Sequence, residues 1–205
     1  MIIALLLAAD APAADAGPSP RPMSAIDAER AFAADAQKNG QWTAFRRYAA
    51  PDAVMFVPEK VNAQAWLKDR VDPPTSVYWW PGRSYVSCDG TVAVNTGPWV
   101  RGYGKSVGYF TTIWMRQADG SWKWIYDAGD PEKFARGEGG DISPFIASCK
   151  GKPSGVIQAK SQHSKDQSLA WLINLGPRGE RRLRVYQWNG ARYQMVIEDK
   201  VAAPK

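Results

Sequence analysis

The side chains that could carry proton-transfer chemistry are few, and two of them lie at the ends of one aromatic hairpin. Asp127 directly follows the stretch WKWIY, and Tyr109 begins the stretch YFTTIWM. A carboxylic acid held in apolar surroundings has a raised pKa and can exchange protons near neutral pH. Asp127 and Tyr109 are therefore the candidate catalytic residues.

Strict alternation along the strand argues against catalysis by Asp127. It places Asp127 on the same side as Lys123, and a lysine rarely faces a core. We therefore expect the Asp127 side chain to point outward and to pair with a neighbouring lysine or arginine. The single histidine, His163, lies in the polar stretch SQHSKDQS, where a solvated side chain is expected. No cysteine or histidine cluster suggests a metal, and no cofactor motif is evident.

A second group of side chains suits recognition of a ligand. The chain has 10 Trp among its 205 residues, and aromatic rings supply apolar walls with an occasional polar atom. A guanidinium or hydroxyl group among them would orient an anionic or carbonyl group of a ligand. The candidate ligand-binding residues are Tyr48, Trp66, Trp80, Arg101, Thr111, Trp124 and Tyr126.

The elements that must position these residues follow from the pattern of apolar and turn-forming residues. Ser24 and Asp27 form the capping pair of a helix predicted over 25–38, and two more helices are predicted over 41–49 and 63–69. Strands are predicted over 53–57, 77–80, 83–88, 91–96, 107–116 and 122–127. Helices separated from a run of antiparallel strands predict an α+β fold.

The hairpin over residues 108–130 leaves two registers open. A two-residue turn at Asp119-Gly120 pairs Met115 with Trp124, whereas a three-residue turn with a glycine bulge pairs Trp114 with Trp124. In the first register one face would line a pocket and the other would need a cover, for which the C-terminal strands are the nearest candidate. The pocket face would carry Tyr109, Thr111, Ile113, Trp124 and Tyr126, and the covered face Phe110, Trp114, Ile125 and Asp127.

Residues 24–130 resemble the SnoaL-like branch of the nuclear transport factor 2-like fold, whose small, often uncharacterised domains occur in bacterial secreted proteins. The stretches that carry this resemblance are AERAFAADAQKNG (28–40), AAPDAVMFVP (49–58), DGTVAVNTGPW (89–99) and the aromatic hairpin. The resemblance implies a cone-shaped, curved antiparallel sheet, closed by N-terminal helices around an apolar pocket. It does not settle function, because the fold hosts isomerases, dehydratases, cyclases, hydrolases and many binding proteins.

The resemblance also bears on the candidate catalytic groups. In ketosteroid isomerase-like members of the fold, a carboxylic acid in an apolar pocket donates or takes a proton, a role open to Asp127 if it points inward. Related domains often carry histidine where this chain has Tyr126 and Ala128. This departure weakens the case for proton transfer.

Residues 1–16, MIIALLLAADAPAADA, predict a signal peptide, although no lysine or arginine precedes the apolar run. That run is too short to span a bilayer, and Ala-x-Ala cleavage patterns follow it. Residues 17–23 form a Pro-rich tether. Export would place the protein in the periplasm or outside the cell, where Cys88 and Cys149 would form a disulfide.

Residues 131–155 predict a linker, and residues 156–205 a basic extension. The extension would be a three-strand β-meander over 168–175, 181–188 and 191–197, in which a two-residue turn at Asn189-Gly190 pairs Tyr186 with Tyr193. Because three strands alone make a poor core, we expect the meander to dock on the preceding domain. Residues 145–205 carry 11 of the 26 basic residues but 4 of the 20 acidic ones.

Three functions follow from these patterns. The first is an exported protein that binds a small apolar or aromatic molecule without evident catalytic residues. The second is an isomerase-, cyclase- or dehydratase-type enzyme that uses Asp127 or Tyr109. The third is an envelope interaction module whose basic extension meets an anionic surface. A homodimer through the sheet is a further expected partner, nucleic acid is not expected, and no further stretch is long and apolar enough to cross a membrane.

Overall fold

The computed structural model describes residues 23–137, 139–155 and 160–203. The predicted signal peptide and the predicted tether up to residue 22 lie outside these ranges. Of the helices in the described ranges, none is long and apolar enough to cross a membrane.

Three helices lie in the N-terminal part: α1 over Ala25–Asn39, α2 over Gln41–Tyr48 and α3 over Ala63–Leu67. The predicted capping box begins α1, where the Ser24 hydroxyl accepts the Asp27 N–H and the Asp27 carboxylate accepts the Ser24 N–H. Gly40, with a φ of 105°, separates α1 from α2. This positive φ favours glycine, which has no Cβ to clash with the backbone.

The first sheet contains strands β1 to β8. Their bounds are Ala49–Phe56, Lys60–Asn62, Tyr78–Trp79, Arg83–Val86, Val92–Arg101, Ser106–Arg116, Trp122–Pro131 and Phe145–Ile146. The order is β2-β1-β7-β6-β5-β4-β8, with β3 paired to β5. The β1–β7 and β4–β8 pairs are parallel. The sheet is therefore mixed and not wholly antiparallel as predicted, because two of its pairs join strands that are distant in the chain. β8 lies within the residues predicted as linker.

The second sheet contains β9 over Gln162–His163, β10 over Leu169–Leu175, β11 over Arg181–Trp188 and β12 over Tyr193–Val201. Its order is β12-β11-β10-β9, and its strands are antiparallel. It therefore has four strands where a three-strand meander was predicted.

The predicted two-residue turn at Asn189-Gly190 is wrong. Trp188 pairs with Tyr193, so residues 189–192 form the connection between β11 and β12. The Asn189 side-chain oxygen accepts hydrogen bonds from the backbone N–H groups of residues 191 and 192. An asparagine side chain that bonds its own loop in this way favours the longer connection.

The hairpin of β6 and β7 contains both registers that the sequence left open, one on each side of a β-bulge. Near the turn, Trp114 pairs with Trp124, but beyond the bulge Ile113 pairs with Tyr126. Ile125 is the extra residue that the bulge inserts into β7. A bulge of this kind shifts the alternation of side chains by one residue. Trp124 and Asp127, which strict alternation separates, therefore face the same side.

The first sheet buries both of its faces. Its inner face packs against the helices, in a core that includes Phe32, Trp114 and Trp124. Its outer face packs against the second sheet, where Ile113 and Tyr126 belong to the same core as the β11 residues. Cys88 and Cys149 are joined by a disulfide, with their Cα atoms 5.3 Å apart.

Candidate functional site

A cavity of about 290 Å³ lies between the inner face of the first sheet and α2. This volume is near the lower end of the range, roughly 300–1,000 Å³, that is usual for small-molecule sites. Rings and aliphatic chains form most of its wall and would suit an apolar ligand. The main apolar contributors are Trp42, Phe45, Met55, Trp79, Trp99 and Phe110.

Glycines in the sheet make room for the largest of these rings. A Cβ at Gly108 would lie 2.3 Å from the Trp99 indole, and one at Gly129 would lie 3.2 Å from Trp99 Nε1. Both positions therefore leave the sheet surface open, so that the Trp99 ring can lie across the neighbouring strands. This placement makes Trp99 part of the cavity wall.

Asp127 lines the cavity, and the prediction that it points outward is wrong because the bulge at Ile125 shifts the alternation. Thr112 lies opposite Asp127 in the ladder, and its hydroxyl donates a 2.8 Å hydrogen bond to Asp127 Oδ2. Burial raises the pKa of Asp127 to about 6, although the Thr112 hydrogen bond and the Arg181 charge lower it. Asp127 can therefore exchange a proton close to neutral pH.

Glu29 is a second buried carboxylate, on α1 behind the cavity wall, and it is fully shielded from solvent. Trp79 Nε1 donates to its Oε1 at 2.9 Å, and Trp114 Nε1 donates to its Oε2 at 2.6 Å. Burial raises the pKa of Glu29 to about 7 against the effect of these hydrogen bonds, and the charge of Asp127 raises it further. Because the Trp79 ring also lines the cavity, Glu29 holds part of the cavity wall in place.

Two of the candidate residues, Asp127 and Arg101, line this cavity. Tyr48, Trp66 and Trp124 instead pack in or against the inner core. Trp80 lies beside a separate cavity next to α1 and Gly139. Fewer of the predicted ligand-binding residues therefore line the cavity than the sequence led us to expect.

Tyr109, Thr111 and Tyr126 lie on the outer face, so the expectation that they line the pocket is wrong. The bulge shifts Tyr126, and the register of β6 puts Phe110 and Trp114 inward in their place. The Thr111 hydroxyl donates a 2.7 Å hydrogen bond to Asp199 of β12.

Arg136 links Tyr109 to the second sheet. Its guanidinium lies 3.5 Å from the Tyr109 ring centroid and donates a 2.6 Å hydrogen bond to Asp199. Burial raises the pKa of Tyr109 well above the ordinary value of a tyrosine, which is itself far above neutral pH. Tyr109 and Thr111 therefore help to dock the second sheet, and Tyr109 is a poor proton donor near pH 7.

Sequence reasoning missed Glu29 and Gln41. Glu29 lies three residues before the core residue Phe32, within the apolar stripe of α1. An acid at such a position is the signal that could have identified it. Gln41 begins α2, and its Oε1 accepts the backbone N–H of Val77 at 3.0 Å while the residue lines the cavity. Nothing in the sequence distinguishes it from an exposed glutamine.

In the described ranges, no three side chains of His, Cys, Asp or Glu lie together in a way that could hold a metal ion.

Among solved structures, the chain is similar to a ketosteroid isomerase-like protein from Parabacteroides distasonis. The two are 18% identical over 53% of this chain and 88% of the other, with a TM-score of 0.42. A second such protein, from Shewanella frigidimarina, is 16% identical over 52% of this chain and 95% of its own, with a TM-score of 0.40. A protein of unknown function from Pectobacterium atrosepticum, of the DUF3225 family, is 12% identical over 54% and 94%, with a TM-score of 0.39.

No family model matches the sequence, and no curated protein does. The packing of a few helices on a curved mixed sheet agrees with the resemblance found in the sequence.

Proposed function

We propose that this protein is exported, binds a small and largely apolar carbonyl compound in the cavity, and exchanges a proton with it through Asp127. One observation carries the proposal: a carboxylate with a pKa of about 6 lines a cavity walled by aromatic rings. A general base works best when its pKa is near the working pH and when it lies within hydrogen-bond reach of the proton that it removes. The reaction class would be that of an isomerase.

In this reaction Asp127 would take a proton from the carbon next to the carbonyl group. The electron pair of the broken C–H bond would form the C=C bond of an enolate, and the negative charge would move to the carbonyl oxygen. Where a C=C bond of the substrate adjoins that carbon, the enolate is conjugated with it, and Asp127 would return the proton to the far carbon of that bond, so that the double bond shifts by one position. Gln41 also lines the cavity, and its NH₂ group is a neutral donor for the enolate oxygen, because its amide oxygen is already held by Val77.

Binding without chemistry is the second candidate function, and it rests on the same wall of aromatic rings. The two differ only in the role of Asp127. Export is supported by the cleavable pattern in residues 1–16 and by the Cys88–Cys149 disulfide, since such bonds persist in oxidising compartments.

The test uses 2-tetralone, an apolar two-ring ketone, as a probe in D₂O. Proton NMR would follow exchange at the carbon next to the carbonyl group. We expect the wild-type protein to accelerate exchange, with a rate that rises through about pH 6 as Asp127 ionises. Asp127→Asn should lower the rate by about 10²- to 10⁴-fold. Asp130→Asn is the matched control. Asp130 lies opposite Tyr109 in the ladder and so on the outer face, and its substitution should leave the rate unchanged.

Quenching of the protein's tryptophan fluorescence would report binding of the probe separately. If wild-type protein binds 2-tetralone but exchanges it no faster than Asp127→Asn does, proton transfer is wrong and binding alone remains. If the probe does not bind, the proposed site itself is wrong.

A further inference from the structure

We propose that the ligand of this cavity is a ring-containing carboxylate, with its anionic group held by Arg101 at the open end of the cavity. This inference rests on the proposed function, because it specifies the chemical class that the same cavity takes. It is carried by the placement of one arginine relative to Asp127.

The ladder between β5 and β6 places Arg101 on the inner face. Asn95 and Trp99 of β5 both face inward, since Asn95 Nδ2 donates to Glu29 at 3.3 Å and the Trp99 ring lines the cavity. Arg101 follows Trp99 by two residues and so shares its face. Arg101 itself lines the cavity, opposite Ser106 in the ladder.

The Arg101 guanidinium is available to a ligand. Within the described residues it lies over the Trp99 ring, 5.6 Å from the centroid, and no carboxylate pairs with it. Arg136, by contrast, is held by both Glu132 and Asp199. An arginine that lines an apolar cavity without an internal partner is suited to an anion, which its planar fork can bind through two hydrogen bonds.

The two charged groups lie at opposite ends of the cavity. Arg101 is opposite Ser106, and Asp127 is opposite Thr112 on the same strand β6. Six residues of strand correspond to about 20 Å between the backbones. The Arg101 guanidinium lies 5.6 Å from the centroid of the Trp99 ring, and Trp99 is opposite Gly108, within that span. The remaining space fits about one or two rings, with a carboxylate near Arg101 and the reacting carbon near Asp127.

Electrostatics favours the same orientation. Above about pH 6 Asp127 is ionised and would repel an anionic group placed beside it. Arg101, whose side chain is exposed, offers the opposite charge at the other end of the cavity. A neutral ligand of equal shape would gain nothing from this arginine.

The test compares 2-naphthoate with 2-naphthamide, two probes of nearly equal shape that differ in charge. Tryptophan quenching would give the dissociation constant of each at pH 8. We expect wild-type protein to bind the carboxylate about tenfold more tightly than the amide, as a charge-assisted hydrogen bond would give. Arg101→Gln should remove this preference by weakening the carboxylate alone. Arg192→Gln, which changes an exposed arginine at the β11–β12 connection, should preserve it.

Added salt should weaken binding of the carboxylate and leave the amide unchanged. Equal affinity of wild-type protein for both probes, or an equal loss of both in Arg101→Gln, would overturn the role of Arg101 while the cavity remains a binding site. Failure of both probes to bind wild-type protein would overturn the proposed function together with this inference.

Discussion

The indole N–H of Trp114 donates a 2.6 Å hydrogen bond to the buried carboxylate of Glu29. This bond joins the middle of the sheet to α1. Trp79 and Asn95 donate to the same carboxylate from two other strands. Glu29 is therefore the point where the helix and three strands of the inner face meet, directly behind the cavity wall.

Trp114→Phe should destabilise the protein more than Trp124→Phe does. Both indoles are fully buried in the inner core, but Trp124 Nε1 has no hydrogen-bond partner among the described residues. Both substitutions remove part of an indole from the same core, so the difference between the unfolding free energies of the two variants should measure the lost bond to Glu29, about 1–3 kcal/mol. Urea unfolding of the two variants measures it. Equal losses in both variants would show that the Trp114–Glu29 bond contributes nothing.

The free energy of unfolding should fall as the pH rises from about 4.5 to 7. The folded-state pKa of Glu29 is about 7 and that of Asp127 about 6, both above the ordinary values of these groups. Over this range the folded state keeps protons that the unfolded state has released, so higher pH favours unfolding. Glu29 alone should contribute on the order of 3 kcal/mol.

Urea unfolding at pH 5 and pH 8 would measure this slope. Glu29→Gln should flatten it, whereas Glu59→Gln, which changes an exposed glutamate, should leave it as in the wild type. Stability that rises with pH across this range would contradict the placement of Glu29.

Thr112→Val should raise the pKa of Asp127 further. The Thr112 hydroxyl donates its hydrogen bond to the charged carboxylate and so favours ionisation. Carbon-13 NMR of the Asp127 carboxyl group would show a higher titration midpoint. Thr111→Val is the control, because Thr111 faces the second sheet and bonds Asp199. A midpoint that moves in the control and not in Thr112→Val would refute the assignment.

Asp199→Asn should destabilise the docking of the second sheet far more than Glu198→Gln does. Asp199 is 5% exposed and accepts hydrogen bonds from Thr111 and Arg136. Its loss leaves the partly buried Arg136 without one of its two anionic partners, at a cost of about 2–3 kcal/mol. Glu198 pairs with two exposed cations, Arg182 of the adjacent strand and Lys200 of its own strand, and solvent-exposed pairs of this kind contribute little to stability. Denaturant midpoints of the two variants would decide between them.

Replacing both cysteines by serine should lower the free energy of unfolding by about 4 kcal/mol, because the disulfide closes a loop across a sequence separation of 61. The same loss should follow reduction of the wild-type protein, since Cys149 is exposed. Unfolding with and without a reductant would measure it. No change on reduction would indicate that the bond constrains the unfolded chain less than loop closure predicts.

Much of the architecture could be predicted because its signals are local. The capping box at Ser24 and Asp27 begins α1, and the Asn62 side chain caps α3 by accepting the Ala65 N–H. Strands β6 and β11 lie close to their predicted bounds. In each case a few adjacent residues suffice, since caps, turns and apolar periodicity act within one element.

The faces of the central hairpin could not be predicted in the same way. The turn at Asp119-Gly120 permits two registers, and nothing near Ile125 indicates that the strand would use both. Burying Trp114 and Trp124 together in the inner core requires one register, while continuing the ladder to Thr112 and Asp127 requires the other. Only the packing of the whole sheet resolves this conflict, by means of the bulge.

The sequence by itself determined the α+β class, the capped first helix, the aromatic hairpin and the basic character of the C-terminal part, because these depend on composition and neighbouring residues. The tertiary structure decided that Asp127 lines the cavity, that Tyr109 and Tyr126 do not, and that Glu29 is buried. The physical reason is that a single extra residue in β7 exchanges the two faces of the strand beyond it. The contacts that stabilise this bulge are made with helices and strands far away in the chain.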